Sequence, residues 1–364
     1  MKNNNSEQIA KGNTDSNIIQ VNGDLNVNGI SEDRARAICH EEYSKALQEW
    51  SFEAGTLVEK RVKKLEDVVI PKMIEQDASL KIFGDPSFQL LIRKAQISAA
   101  CSERDGDYEM LSELLLHRSE QNNNRERRLG ISKAVEIVDQ IDDVALTALA
   151  IVYAIDKYSP VSNIPEEGLK SLDNLFRILL NGKQLPDGES WMEHLDLLAA
   201  IRIGIKGIGS FNKMNNIISN KIPRYFFLGL PTDDERLIKL KEQFISLGLP
   251  LSCFKPHYFK VGYEILTIFD STDNISLTKN GQLYELSQGQ KDLINSAKEL
   301  MHISGENDSE ISSSFWQLWD SFPSLKQIRT WWDKLPVVFS FTSVGVALSN
   351  AYIHGKDSSL PCLY

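Results

Sequence analysis

A chain of 364 residues, 42% hydrophobic and 25% charged, has ordinary globular composition and length enough for two or three domains with a sizeable core. Its formal net charge of −10 argues against a nucleic-acid track or an anionic membrane surface as the main business of the chain. Four cysteines, Cys39, Cys101, Cys253 and Cys362, lie far apart without any CxxC, so they read as free thiols of a reducing compartment. The polar start lacks the apolar run of a signal peptide, and the most apolar window, residues 144–155, is too short to cross a bilayer. A cytoplasmic protein is expected.

Residues 16–31 hold two copies of one short unit, Ile19-Gln20-Val21-Asn22-Gly23-Asp24 and Leu25-Asn26-Val27-Asn28-Gly29-Ile30. Alternation inside each copy is the strand period, and the Gly23 and Gly29 corners suit tight turns. Such units stack into β-helices, but two cannot close a core, since repeat architectures need roughly three or more. An unsatisfied edge is a template for pairing with the same segment of other chains. Ile19, Val21, Gly23, Leu25, Val27 and Gly29 are therefore the expected self-assembly residues. A hairpin docked on the chain's own body, or a tail without structure, are the alternatives.

Behind the repeat, Ser31-Glu32-Asp33 is a helix start, with a capping hydroxyl and acidic residues at the positive end of the dipole. From Ala35 apolar residues recur at steps of three and four through Tyr43, Trp50, Leu57, Val62, Leu65 and Val68. The spacing predicts one helix to about Pro71, roughly 55 Å long. Its stripe serves either as an assembly stalk or as a face packed on the body.

Residues 78–230 read as helix after helix. Asp85-Pro86 opens one, and further helices are predicted over 108–117, 131–141, 144–158, 165–180 and 189–203. The 144–158 segment is apolar almost all round and is the expected central core helix. Three features invite chemistry. The glycines of 204–209 with Lys213 resemble a phosphate cradle but lack the GK[ST] ending and follow a helix. Glu193-His194 with Asp196 lacks the second histidine of a zinc motif, and Lys255-Pro256-His257 reads simply as a turn. No catalytic, metal or cofactor site is assigned from sequence.

From residue 231 the texture changes to a small α+β domain, 231–364. The pattern S-[L/F]-T-x-x-G occurs at Ser276-Leu277-Thr278-Lys279-Asn280-Gly281 and again at Ser340-Phe341-Thr342-Ser343-Val344-Gly345. Both copies are predicted to be a strand whose threonine caps a following helix. Trp316, Trp319, Trp331 and Trp332 cluster nearby, with a core patch and a partner-binding surface as the two readings. The fold class is thus mainly α, with domains at 1–30, 31–77, 78–230 and 231–364.

The Asn/Gly β-repeat of residues 17–29, the long helix behind it, the helical body and the segment running from Phe339 to Ala351 (FSFTSVGVALSNA) together resemble an uncharacterised bacterial family of cytoplasmic proteins. Similar amino-terminal repeats head some proteins linked to phage defence, as self-assembly elements. The resemblance implies self-association and a role in defence or stress response, and it brings no catalytic residues with it. Three functions follow for testing. The first is a self-assembling, non-enzymatic interaction protein that pairs with its own copies and binds a protein partner through 231–364. The others are an enzyme, such as a nuclease or nucleotide hydrolase, with no recognisable motif, and an effector that exposes an apolar helix to a membrane. Nucleic acid and resting membranes are not expected partners.

Overall fold

The computed structural model describes residues 32–76, 81–120, 124–204, 213–279 and 282–363. The repeat at 19–30 and the glycine-rich residues 205–212 lie outside them. The chain divides into two compact units, Met1–Val58 and Glu59–Tyr364.

Helix α1 spans Glu32–Gln76 and passes through Pro71, where the sequence predicts its end. A proline removes one helical hydrogen bond and crowds the preceding turn. Beyond it, Met73 is buried and Lys72 bonds both Glu109 and Glu113 at 2.7 Å, so tertiary contacts carry the helix on. The following helices are α2 (Pro86–Cys101), α3 (Asp105–Glu120), α4 (Arg125–Ile137), α5 (Asp143–Lys157), α6 (Pro165–Leu180) and α7 (Ser190–Leu197). Local chemistry starts several of them. Asp85 caps α2 through Ser87 N, Asn124 caps α4 through Arg127 N, and Asp142 caps α5 through Val144 N and Ala145 N.

Strand β1 (Ile201–Ile203) stands where the sequence predicts the end of a helix over 189–203. The helix stops because Ala199 adopts a positive φ of 58° and because a partner strand arrives from far along the chain. After it come α8 (Met214–Lys221), β2 (Leu230–Pro231), α9 (Glu235–Ser246), β3 (Phe254–Pro256), β4 (Tyr263–Leu266), β5 (Ser276–Lys279) and β6 (Gln282–Glu285). The chain then forms α10 (Gln288–Met301), α11 (Ser309–Ser321), α12 (Pro323–Trp332), β7 (Phe339–Phe341) and α13 (Ser343–Lys356). The protein is mainly helical with three small antiparallel sheets among the described residues: β1-β7, β2-β4-β3 and β5-β6.

Two hydrophobic clusters hold the second unit together. The larger runs from Leu65 to Ile353 and includes α11, α12 and α13 beside the earlier helices. The smaller lies between Leu230 and Met301 and is built from α9, α10 and the β2-β4-β3 sheet. Residues 231–364 are therefore shared between both cores. Helix α5 is buried at every position from Ala145 to Ile155. No helix among the described residues is long and apolar enough to cross a membrane. Helix α13 packs against α3, α4, α5 and α6 at once. The α4–α13 contact is close enough that a Cβ on Gly130 would stand 2.5 Å from Ser343 O, so only glycine fits there.

The two S-[L/F]-T-x-x-G copies fold differently. At 340–345 the prediction holds: β7 pairs with β1, and Thr342 caps α13 by accepting from Val344 N and Gly345 N. At 276–281 it does not. Ser276–Lys279 pairs with Gln282–Glu285, Thr278 opposite Leu283, and the next helix begins only at Gln288, capped by Ser287.

Candidate functional site

Among the described residues, those singled out from sequence do not meet in one place. Ile19, Val21, Gly23, Leu25, Val27 and Gly29 lie outside the described residues, as does most of the glycine run after Gly204. His194 serves the fold: its Nε2 accepts from the backbone N–H of Asp142 at 3.0 Å, steadying the start of α5. Asp196 faces Arg202 at 3.5 Å. His257 organises a loop, with Nδ1 accepting from Phe259 N and Lys260 N at 2.9 Å each. Trp319, Trp331 and Trp332 are buried, with Trp316 half-buried against them, so the tryptophans are a core patch.

Helix α1 changes character along its length. Leu65, Val69 and Met73 are buried, as the stripe requires. Upstream, every residue from 51 to 60 is exposed, including Phe52 at 78%, Leu57 at 46% and Val58 at 42%. Leu57 and Val58 stand on the same stripe as Leu65, and exposed apolar side chains on such a stripe are what an association surface leaves open in the single chain.

A second site was not legible as a motif. The segment after α13 turns back and is held by side chains of the core. Asn350 brackets the Leu363 peptide, its amide donating to Leu363 O at 2.9 Å and its oxygen accepting from Leu363 N at 3.0 Å. Tyr153 also donates to Leu363 O, and Tyr158 donates to Pro361 O at 2.8 Å. This clamp delivers Cys362 to α3, where its Sγ lies 2.8 Å from His117 Nε2.

Around that contact four side chains converge. Glu113 and His117 share one face of α3 at a four-residue spacing, with Glu113 Oε2 3.9 Å from His117 Nε2. His354, in the last turn of α13, brings Nδ1 to 3.4 Å from the same carboxylate oxygen. The two imidazole rings meet edge to face at 5.4 Å. One donor atom from each of His117, His354 and Cys362 lies within 4.8 Å of the others. Glu113 Oε1 is held by Lys72, so the carboxylate is anchored at one oxygen and presents the other to the histidines.

Burial sets the electrostatics. It pulls His117 down to about 3, with His354 adding to the effect, so His117 is neutral at ordinary pH. It pushes the Cys362 thiol up to about 12, with the Glu120 and Glu113 carboxylates adding to the effect. Burial works against the charge of Lys72, yet its bonds to Glu109 and Glu113 hold it above its usual value. The result is a neutral thiol and a neutral imidazole beside an ionised pair. Cys101, Cys253 and Cys362 are all free thiols, and of these Cys362 stands against a histidine.

Sequence reading missed this cluster because 245 residues separate His117 from Cys362. The available signal was the Glu113–His117 spacing around the Leu114-Leu115-Leu116 run of α3, since burying both side chains costs desolvation unless they find partners.

A family model whose description reads only “:-like” matches residues 29–360. No curated protein and no solved structure matches the chain. Since the matched residues span most of its length, the chain belongs to that family of uncharacterised-like proteins.

Proposed function

We propose that this is a self-assembling, non-enzymatic interaction protein of the bacterial cytoplasm, acting in phage defence or a stress response. In this reading the 19–30 repeat and the exposed face of α1 bring copies together. The observation that carries it is the exposed pair Leu57 and Val58 on α1, which stand eight and seven residues before Leu65 on the stripe that is buried farther along. The resemblance of the repeat to self-assembly elements of defence proteins supports the same reading. In the same reading a protein partner binds the carboxy-terminal domain, 231–364, and the exposed Val261 at 93% and Leu283 at 75% support this.

Light scattering after size exclusion tests the assembly. The full chain is expected to exceed its 41.1 kDa monomer mass. Val21→Asp with Val27→Asp, and separately Leu57→Asp with Val58→Asp, are expected to lower that mass while helical circular dichroism persists, because an unpaired carboxylate is costly inside an apolar contact. Identical masses for the wild type and both double variants would sink the proposal.

A further inference from the structure

We propose that Glu113, His117, His354 and Cys362 form a site for one divalent ion of the zinc class, and that the ion fastens the carboxy-terminal segment to α3. The donor set carries the choice of metal. A thiolate and two imidazoles suit zinc, whereas magnesium and calcium are held by oxygen ligands. Two histidines, a cysteine and a carboxylate complete a closed four-coordinate shell of the structural kind.

The geometry is compatible. Bonds of about 2.3 Å to sulfur and about 2.0–2.1 Å to nitrogen or oxygen place tetrahedral donors about 3.3–3.6 Å apart. His117, His354 and Cys362 each bring one donor atom within 4.8 Å of the others, with Cys362 Sγ 2.8 Å from His117 Nε2; Glu113 Oε2, 3.4 Å from His354 Nδ1 and 3.9 Å from His117 Nε2, borders this trio and joins the shell by a shift of its side chain. The ligands come from three places that the fold already holds firmly: two from one face of α3, one from the end of α13, and one from the segment clamped by Asn350 and Tyr153. His354 is the most exposed of the three helix-borne ligands at 22%, so its ring has room to turn toward an ion.

Protons and charge balance. On binding, the Cys362 S–H bond breaks, the sulfur keeps the electron pair and bonds the metal, and the proton leaves to solvent. The dication is then neutralised by the Cys362 thiolate and the Glu113 carboxylate. Lys72 remains paired with Glu109, which it already contacts at 2.7 Å, so the buried site carries no net charge. Lys72 also fixes the free end of Glu113, the supporting contact that orients a ligating carboxylate.

Cobalt(II) substitution of the full chain tests the site. Protein stripped with a chelator is titrated with Co(II) and then with Zn(II). One equivalent of Co(II) is expected to give the intense visible bands of tetrahedral cobalt together with a thiolate charge-transfer band, both erased by zinc. Cys362→Ser is expected to abolish the charge-transfer band and weaken zinc binding at least about tenfold. His354→Gln, at the less buried ligand, is expected to weaken binding to a similar extent with circular dichroism unchanged, which keeps the test decisive if the cysteine variant folds poorly. No stoichiometric binding by the wild type, a weak octahedral cobalt spectrum, or a spectrum and affinity unaltered by the His354 substitution would each overturn the proposal.

Discussion

The same six-residue pattern takes two structures in this protein. At 340–345 the strand β7 runs into the capping threonine and straight into α13, the helix that touches most of the body. At 276–279 the strand β5 turns back on β6 as a hairpin. What separates them is the company each keeps. Thr342 Oγ1 lies 2.6 Å from Ala199 O and 2.9 Å from Ala200 O, and the Thr342 N–H donates to Ala200 O at 3.1 Å. Those carbonyls sit at the break between α7 and β1, where Ala199 has positive φ. The cap is thus locked by a distant strand end. In the first copy Asn280-Gly281 stands between two strand-forming runs, a local hairpin signal that needs no distant partner. A short motif states a possibility, and its surroundings choose the outcome.

The comparison breaks most sharply at the glycine of the second copy. A Cβ on Gly345 would stand 2.1 Å from Ala200 O, a backbone atom that cannot step aside. Gly345→Val is expected to cost at least about 3 kcal/mol and to lower the melting midpoint accordingly, because overpacking here means parting α13 from β1. Gly289, in the first turn of α10, has nothing within 4 Å of where its Cβ would be. Gly289→Ala is expected to stabilise by about 0.5–1 kcal/mol through helix propensity. Urea unfolding of the two variants measures both. Equal effects would mean that the tight α13 junction does not govern global stability.

The two threonines make a smaller and more pointed test. Thr342→Val keeps the shape of the side chain but removes the oxygen that accepts from Val344 N and Gly345 N, and it is expected to cost about 1–2 kcal/mol. Thr278→Val exchanges one β-branched residue for another in a strand and is expected to stay within about 0.5 kcal/mol. A cost at Thr278 equal to that at Thr342 would show that the threonine of the hairpin has a structural duty beyond its strand.

The contrast also explains what could be read in advance. Helix α6 was legible to the residue at 165–180, because Pro165, an acidic first turn and an apolar stripe from Leu169 to Leu180 all act locally. The burial of α5 followed from its apolar composition on every side. Strand β1 was not legible, since its three residues become a strand only against β7, which pairs Ile201 with Phe341. Pro71 misled for the converse reason: a local breaker was overruled by the packing of Met73. The His117, His354 and Cys362 cluster belongs with β1. Its members are brought together by α13 and by a clamp on Leu363 that leaves no mark in local spacing.

The smallest expected effect is acid sensitivity in the smaller module, between Leu230 and Met301, that holds the hairpin. His257 sits between β3 and β4 with Nδ1 accepting two backbone N–H groups, which requires the proton on Nε2, and Nε2 in turn donates to Phe227 O at 2.8 Å. Burial holds its pKa below the ordinary histidine value; Lys260 pushes the same way, while Phe227 O, Asp308 and Glu310 push against it. A base whose folded pKa is lowered takes up its proton first in the unfolded state, so the stabilisation is complete above the unfolded value of about 6.5 and is lost as the pH falls below it. Protonating Nδ1 also removes the acceptor that Phe259 N and Lys260 N share. Amide exchange at Phe259, Lys260 and β4, corrected for intrinsic rates, is therefore expected to accelerate between about pH 7 and pH 5, ahead of any change in α13. His257→Asn, whose side-chain oxygen can accept in place of Nδ1 without titrating, is expected to flatten that dependence. An unchanged pH slope in the variant would remove His257 as the cause and leave the acid response of this module to His302, which stacks on Phe227 at 4.3 Å and contacts Leu266 O at 2.9 Å.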